Sequence, residues 1–189
     1  MRIILASSSP RRQQLLSLTG LAFEVIVSAV KEDNTQNMPP HKLAVAHARD
    51  KAVDVSKSCS DNAIIIGADT IVVLEDKVYG KPVDRADAVR MLTNLSGREH
   101  TVISGVAVVK GQHIFTGYAS TTVTFKQLSR DQIERYVATG EPMDKAGAYA
   151  IQGKGTLLVE SIHGCYNNVV GLPLVTLAEL LCQAGVELL

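Results

Sequence analysis

Three cysteines in 189 residues, Cys59, Cys165 and Cys182, are too few, too scattered and too odd in number to build a disulfide framework. No CxxC pair stands among them, which also argues against a structural zinc site. Reduced thiols in a cytoplasm are what remains. Net charge is absent too: nineteen Lys and Arg offset nineteen Asp and Glu, so the overall field attracts neither nucleic acid nor a membrane surface. Any affinity for an anion must then be local, which suits a small ligand better than a polymer. The sequence has no charged segment followed by a long apolar one at Met1, and no apolar run nears the roughly 18 residues of a membrane span. A soluble cytoplasmic protein is the expectation. Repeats, linkers and low-complexity stretches are missing as well. What is present, 46% hydrophobic residues in a chain of this length, suffices for a single domain over 1–189.

The first unusual stretch is Ala6-Ser7-Ser8-Ser9-Pro10-Arg11-Arg12, between an apolar run (Ile3, Ile4, Leu5) and a helical Gln13 to Leu18. Ser9 suits an N-cap, Pro10 the first helical position, and Gly20 the C-terminal end. Capping does not explain three hydroxyls and two arginines at the positive end of the helix dipole, where basic residues are disfavoured. Serine hydroxyls, backbone N–H groups and guanidinium forks together describe a seat for phosphate oxygens. A capped helix with two solvated arginines is the other reading of the same residues.

Phe23 to Val27 reads as a strand, followed by the charged turn Lys31-Glu32-Asp33-Asn34, whose carboxylates look like ordinary loop residues. His41 to Ser56 is a helix with Ala44, Ala48, Ala52 and Val55 on one stripe, on which Lys51 intrudes. That lysine either snorkels past the core edge or points into a cleft. Ala63 to Ile66 and Ile71 to Leu74 read as two apolar strands with Gly67-Ala68-Asp69-Thr70 where they meet. An unpaired buried carboxylate costs several kcal/mol, so Asp69 has dedicated partners or serves a metal or a reaction. Lys77 to Tyr79 returns, and Gly80-Lys81-Pro82 leaves the sheet; alone, Lys81 is a surface loop residue.

Asp84 caps a helix to about Leu95, Thr101 to Val109 and His113 to Phe125 form a long hairpin, and Ser129 with Gln132 makes a capping box. His100 and His113 read as sheet-edge residues, since no second ligand stands at metal spacing. Residues 140–155 hold four glycines, two carboxylates and two lysines, an ordered loop with little secondary structure. Its glycine interval is wrong for a Walker motif, and Gly155-Thr156 lacks the required lysine. A last hairpin, Thr156 to Ile162 with Cys165-Tyr166, and a C-terminal helix from Gly171-Leu172-Pro173 to Ala184 complete the reading.

Taken in order, Ala6-Ser7-Ser8-Ser9-Pro10-Arg11-Arg12, Gly67-Ala68-Asp69-Thr70, Gly80-Lys81-Pro82, Ser96-Gly97-Arg98-Glu99-His100, the run from Glu141 to Tyr149, Ile151-Gln152-Gly153 and Gly171-Leu172-Pro173 resemble the Maf family of nucleoside triphosphate pyrophosphatases. The likeness spans essentially the whole chain. Asp69-Thr70 and the 144–152 loop look like the branch acting on dTTP and UTP, with the 7-methyl-GTP branch as an alternative and a nucleotide-sensing, non-enzymatic inhibitor of septum formation as another. The resemblance implies an α/β fold, a mixed twisted sheet flanked by helices with two lobes around a central cleft, and a homodimer. It makes Asp69 the proton acceptor. It gives Arg11, Thr70 and Gln152 to base selection or substrate holding, and places Ser8, Arg12, Glu32, Lys51 and Lys81 at further cleft positions. A divalent Mg²⁺ or Mn²⁺ on hard carboxylate oxygens such as Glu32 and Asp69 would fit a triphosphate substrate. Ala150 departs from the family pattern, which has glycine there.

Overall fold

The computed structural model describes residues 2–188, so Met1 and Leu189, the outermost residues of the expected domain, lie outside the described residues. The elements follow as β1 (Arg2–Leu5), α1 (Pro10–Ser17), β2 (Glu24–Val25), α2 (Pro40–Ser56), β3 (Ala63–Leu74), β4 (Lys77–Tyr79), α3 (Arg85–Leu95), β5 (Glu99–Lys110), β6 (His113–Phe125), α4 (Arg130–Ala138), β7 (Val159–His163), α5 (Tyr166–Val170) and α6 (Leu174–Gln183). Among the described residues the strands form a seven-stranded sheet in the order β2-β1-β3-β5-β6-β7, with β4 on β3. β1 runs parallel to β2 and β3, whereas β4 is antiparallel to β3 and β7 to β6. A mixed sheet flanked by helices is the expected fold class. No helix among the described residues is long and apolar enough to cross a membrane.

The chain divides into two compact units, one of residues 1–70, 104–119 and 171–189, the other of 71–103 and 120–170. In the first, α1 begins as its sequence predicts. Ser9 caps it, its side chain accepting from the Arg12 backbone N–H at 3.5 Å, and Pro10 fills the first turn where an N–H would have no partner. The apolar stripe of α2 packs Ala48, Ala52 and Val55 against Ile4, Ala6, Ile65, Ala107 and Val109. Two glycines let this helix come close. A Cβ on Gly67 would lie 2.1 Å from the Ala48 carbonyl oxygen, and one on Gly105 2.3 Å from that of Ala44. Side chains alternate along a strand, so Gly67 and Asp69 share the face of β3 turned toward α2.

Several sequence expectations change here. Gly67 to Thr70 is not a junction between two strands, because β3 runs unbroken through it; the glycine makes room for the helix and does not turn the chain. The strand expected over 23–27 shrinks to Glu24–Val25, since Asp54 of α2 draws off the following residues through Ser28 Oγ (2.8 Å) and the Ala29 N–H (3.0 Å).

The second unit has its own core, in which Leu92 and Leu95 of α3, Phe125 of β6, Tyr136 of α4 and Tyr149 are buried together. β3 and β4 are joined by Glu75-Asp76, both at positive φ (48° and 62°), as a two-residue hairpin requires. The capping box of Ser129 and Gln132 starts α4. The 140–155 segment is an ordered loop of short 3₁₀ turns. The expected last hairpin is not formed: β7 pairs with β6, and Tyr166 opens α5. Thr121 Oγ1 explains the change, accepting from the Cys165 N–H (3.0 Å) and from Asn168 Nδ2 (2.8 Å), which pins the chain in a helical turn. His100 is not a sheet-edge residue but a buried one, 2.8 Å from the Tyr149 hydroxyl and edge-on to Phe125.

Candidate active site

Asp69 is 4% exposed and every part of its carboxylate is engaged. Oδ1 accepts from Lys51 Nζ at 2.6 Å, and Oδ2 lies 3.1 Å from His47 Nδ1. The same lysine ammonium donates to Glu32 Oε1, also at 2.6 Å. α2 supplies both partners of Asp69 from one face, since His47 and Lys51 stand one helical turn apart. Burial opposes ionisation of Asp69, but the hydrogen bond from His47 and the charges of Lys51 and Arg12 outweigh it and hold the carboxyl well below the usual range. His47 is shifted the other way: the bond to Asp69 raises its pKa against the effect of burial.

A second cluster of the same unit surrounds Arg12. Its Nε donates to the Gly171 carbonyl (2.8 Å), Nη1 to Ser7 Oγ (3.3 Å) and Nη2 to Thr70 Oγ1 (3.1 Å). Thr70 Oγ1 is also 2.8 Å from Ser104 Oγ. Burial lowers the guanidinium pKa and the Asp69 charge raises it, but the starting value is so high that the group stays cationic. In this triple-serine loop Ser7, and not the exposed Ser8, reaches Arg12; Arg11 is half-buried beside it.

Of the residues singled out in the sequence, the structure thus brings Asp69, Lys51 and Glu32 together, and Arg12 with Thr70. Lys81 and Gln152 belong to the second unit. Lys81 is exposed on the loop after β4, which the Gly147 N–H ties to the 140–155 loop by donating to the Gly80 carbonyl (3.1 Å). Gln152 is half-buried in a loop held by Glu141, whose carboxylate accepts from Tyr136 Oη (2.9 Å), the Lys154 N–H (3.1 Å) and the Gly155 N–H (3.0 Å). Ala150 fits this loop without a glycine's backbone: its φ is not positive, and its N–H donates to Tyr136 Oη at 3.2 Å.

His47 and Ser104 were not singled out by sequence reasoning, and Ser7 and Glu141 entered it only as members of the triple-serine stretch and of the 140–155 loop. His47 alone carried a usable signal, one turn before the lysine that intrudes on the apolar stripe. For a divalent ion the donor chemistry fits in part. Glu32 and Asp69 aim one oxygen each at a single point, a hard pair of the kind that Mg²⁺ accepts alongside waters and phosphate oxygens, and the Lys51 ammonium stands at that point. Among the described residues no group of three or more His, Cys, Asp or Glu is placed to hold a metal.

The family described as Maf-like protein matches residues 2–184. A dTTP/UTP pyrophosphatase of Desulforamulus reducens is 52% identical over 189 residues, covering 98% of both chains. One of the same name from Moorella thermoacetica is 52% identical over 188 residues, covering 98% of this chain and 96% of its own. A third, from Acetivibrio thermocellus, is 48% identical and covers 100% and 98%. Among solved structures, the Staphylococcus aureus Ham1 protein is 12% identical over 82% of this chain and 78% of its own, with a TM-score of 0.45, too loose an overlap to carry weight.

Proposed function

The chain belongs to the Maf family, and from that premise we propose that it hydrolyses nucleoside triphosphates, dTTP and UTP before others, to the nucleoside monophosphate and pyrophosphate. The observation that carries the proposal is a buried, ionised Asp69 gripped by Lys51 and His47, in a chain half identical over its length to proteins named for this reaction.

A triphosphate brings about four negative charges, and Arg11, Arg12, Lys51 and Lys81 are the groups to meet them. In the resting protein Asp69 is too well stabilised to take a proton at neutral pH. When Lys51 turns its ammonium toward phosphate oxygens, the carboxylate loses a neighbouring cation and its proton affinity rises. A water then attacks the α-phosphorus: its oxygen forms the new P–O bond, its proton passes to Asp69, and the bond to the bridging oxygen breaks. The bridging electrons leave with pyrophosphate, whose charge the lysines and arginines offset. Bound at Glu32 and Asp69, Mg²⁺ or Mn²⁺ would supply further charge neutralisation.

Gln152 deals with the base. Its amide offers one donor and one acceptor, matching the adjacent carbonyl and N–H of uracil or thymine, and a mismatched base leaves those groups unpaired. A homodimer in the cytoplasm completes the proposal, and the free thiols of Cys59, Cys165 and Cys182 are in keeping with that compartment.

The test is pyrophosphate release from dTTP, UTP, CTP, dATP, dGTP and 7-methyl-GTP, with and without Mg²⁺ or Mn²⁺, for the wild type and Asp69→Asn. Release led by dTTP and UTP, dependent on the divalent ion and lowered in Asp69→Asn by about 10³-fold, is expected. No release from any nucleotide, or full turnover in the variant, would overturn the assignment.

A further inference from the structure

His47 is buried between two atoms that can only accept. Nδ1 lies 3.1 Å from Asp69 Oδ2, and Nε2 lies 3.2 Å from the backbone carbonyl oxygen of Asp33. A carboxylate with both oxygens in use and a carbonyl offer no proton, so the ring donates from both nitrogens. The imidazole is therefore a two-ended strut, rigid within itself and fixed at its base to α2, which Gly67 and Gly105 let lie close against the sheet.

Each end of the strut meets a different carboxylate's support. At one end the bond to Oδ2 sets the plane of the Asp69 carboxylate and leaves Oδ1 on the side of Lys51. At the other the bond to Asp33 anchors the residue next to Glu32. That turn is also closed locally, since Asp33 Oδ1 accepts from the Thr35 N–H at 2.9 Å. The 31–36 segment is exposed, and the His47 bond ties its backbone to α2 beside the contact of Lys51 with the Glu32 side chain.

We propose that His47 is a positioning residue that orients Asp69 through Nδ1, with its ring held at Nε2 by the Asp33 carbonyl. The inference rests on the reading of Asp69 as proton acceptor. Its two ends separate by substitution. The amide nitrogen of an asparagine falls close to the place of Nδ1 and serves Asp69 but not Asp33; that of a glutamine falls close to Nε2 and serves Asp33 but not Asp69. Leucine fills the volume and serves neither.

The experiment measures kcat and KM for dTTP, with thermal midpoints, in His47→Asn, His47→Gln, His47→Leu and Asp69→Asn. Misorienting a group held by such a partner costs about 10- to 100-fold. His47→Leu is expected to lose that much in kcat with KM changed by less than about threefold. His47→Asn recovers kcat to within about threefold of the wild type, and His47→Gln does not. Wild-type kcat in His47→Leu beside an inactive Asp69→Asn would overturn the role of His47 alone. Equal losses in the Asn and Gln variants would reduce the residue to a structural one. Full turnover in Asp69→Asn would remove the proton acceptor and the strut's purpose with it.

Discussion

Gly67→Ala should disable the site without touching any of its charged groups. The added Cβ would stand 2.1 Å from the Ala48 carbonyl oxygen, 2.9 Å from Ala52 Cβ and 3.0 Å from the Ala52 nitrogen. Non-bonded carbons rest at about 3.5–4.0 Å, so α2 must retreat by roughly 1 Å or more. The obstacles are helix backbone and a Cβ, and no rotamer change relieves them. Gly67 is not in the left-handed region, so the effect is steric and owes nothing to backbone strain. A retreat of that size carries His47 Nδ1 from 3.1 Å to beyond hydrogen-bonding range of Asp69 and loosens the Lys51 contact. Overpacking of this kind costs about 1–3 kcal/mol of stability, and a misplacement of about 1 Å at reacting groups costs about 10²-fold in rate. Urea denaturation measures the first and pyrophosphate release the second. Gly20→Ala is the control, because φ there is +74° and no atom lies within 4 Å of the added methyl; it pays about 1–2 kcal/mol in the backbone and leaves turnover alone. Wild-type stability and turnover in Gly67→Ala would refute the close seating of α2 as the device that brings His47 and Lys51 to Asp69.

Gln152→Ala is expected to erode the preference for dTTP and UTP over dATP and dGTP, and Glu141→Ala to do the same by releasing the N–H groups of Lys154 and Gly155 that fix the loop. An unchanged ranking of kcat/KM across the nucleotides in both variants would take Gln152 out of base selection. A separate pH effect follows from His100, whose pKa burial pushes down to about 4. The unfolded chain protonates this ring below about 6.5 and the folded one only near 4, so the contribution is fully present above 6.5 and is lost as pH falls through that window. The loss amounts to roughly 3 kcal/mol at the acid end. Urea midpoints between pH 7 and 4.5 should fall more steeply in the wild type than in His100→Gln, and parallel curves would sink the idea.

Much of the site could be read from residue types in unlikely places. Asp69 stood out as a carboxylate inside an apolar run, and Lys51 as a cation on an apolar stripe; each turned out to be the other's partner. His47 escaped notice because a periodicity argument treats a polar residue beside alanines as the flank of the stripe, and its partners lie 22 and 14 residues away. The glycine before Asp69 looked like a break in the strand, since local rules score glycine by the chain's own conformation and not by the helix that crosses it. The final hairpin failed for a related reason. Val159–His163 has strand character, but the chain after it is held in a helical turn by Thr121, a residue whose hydroxyl gives no local sign of binding Cys165 and Asn168. His100 shows the same limit: it was read as a sheet-edge residue because nothing local signals the buried rings of Tyr149 and Phe125 around it.

The three bonds of Arg12 bear on how the protein is made. Their acceptors are Ser7 close by, Thr70 after 58 residues and Gly171 after 159. During synthesis the guanidinium leaves the ribosome early, but its last acceptor follows only after all of residues 71–103 and 120–170. Those two segments can begin to fold as a body of their own, while the unit bearing the carboxylates waits for its third segment and must close a long loop to complete itself. A nascent chain that stops short of Gly171 already contains Asp69, Lys51 and His47, yet its Arg12 lacks the carbonyl among its three acceptors. Folding of this unit is therefore set by its most distant contact, and the slow step in acquiring activity lies with the docking of the segment around Gly171 and not with the residues that do the chemistry.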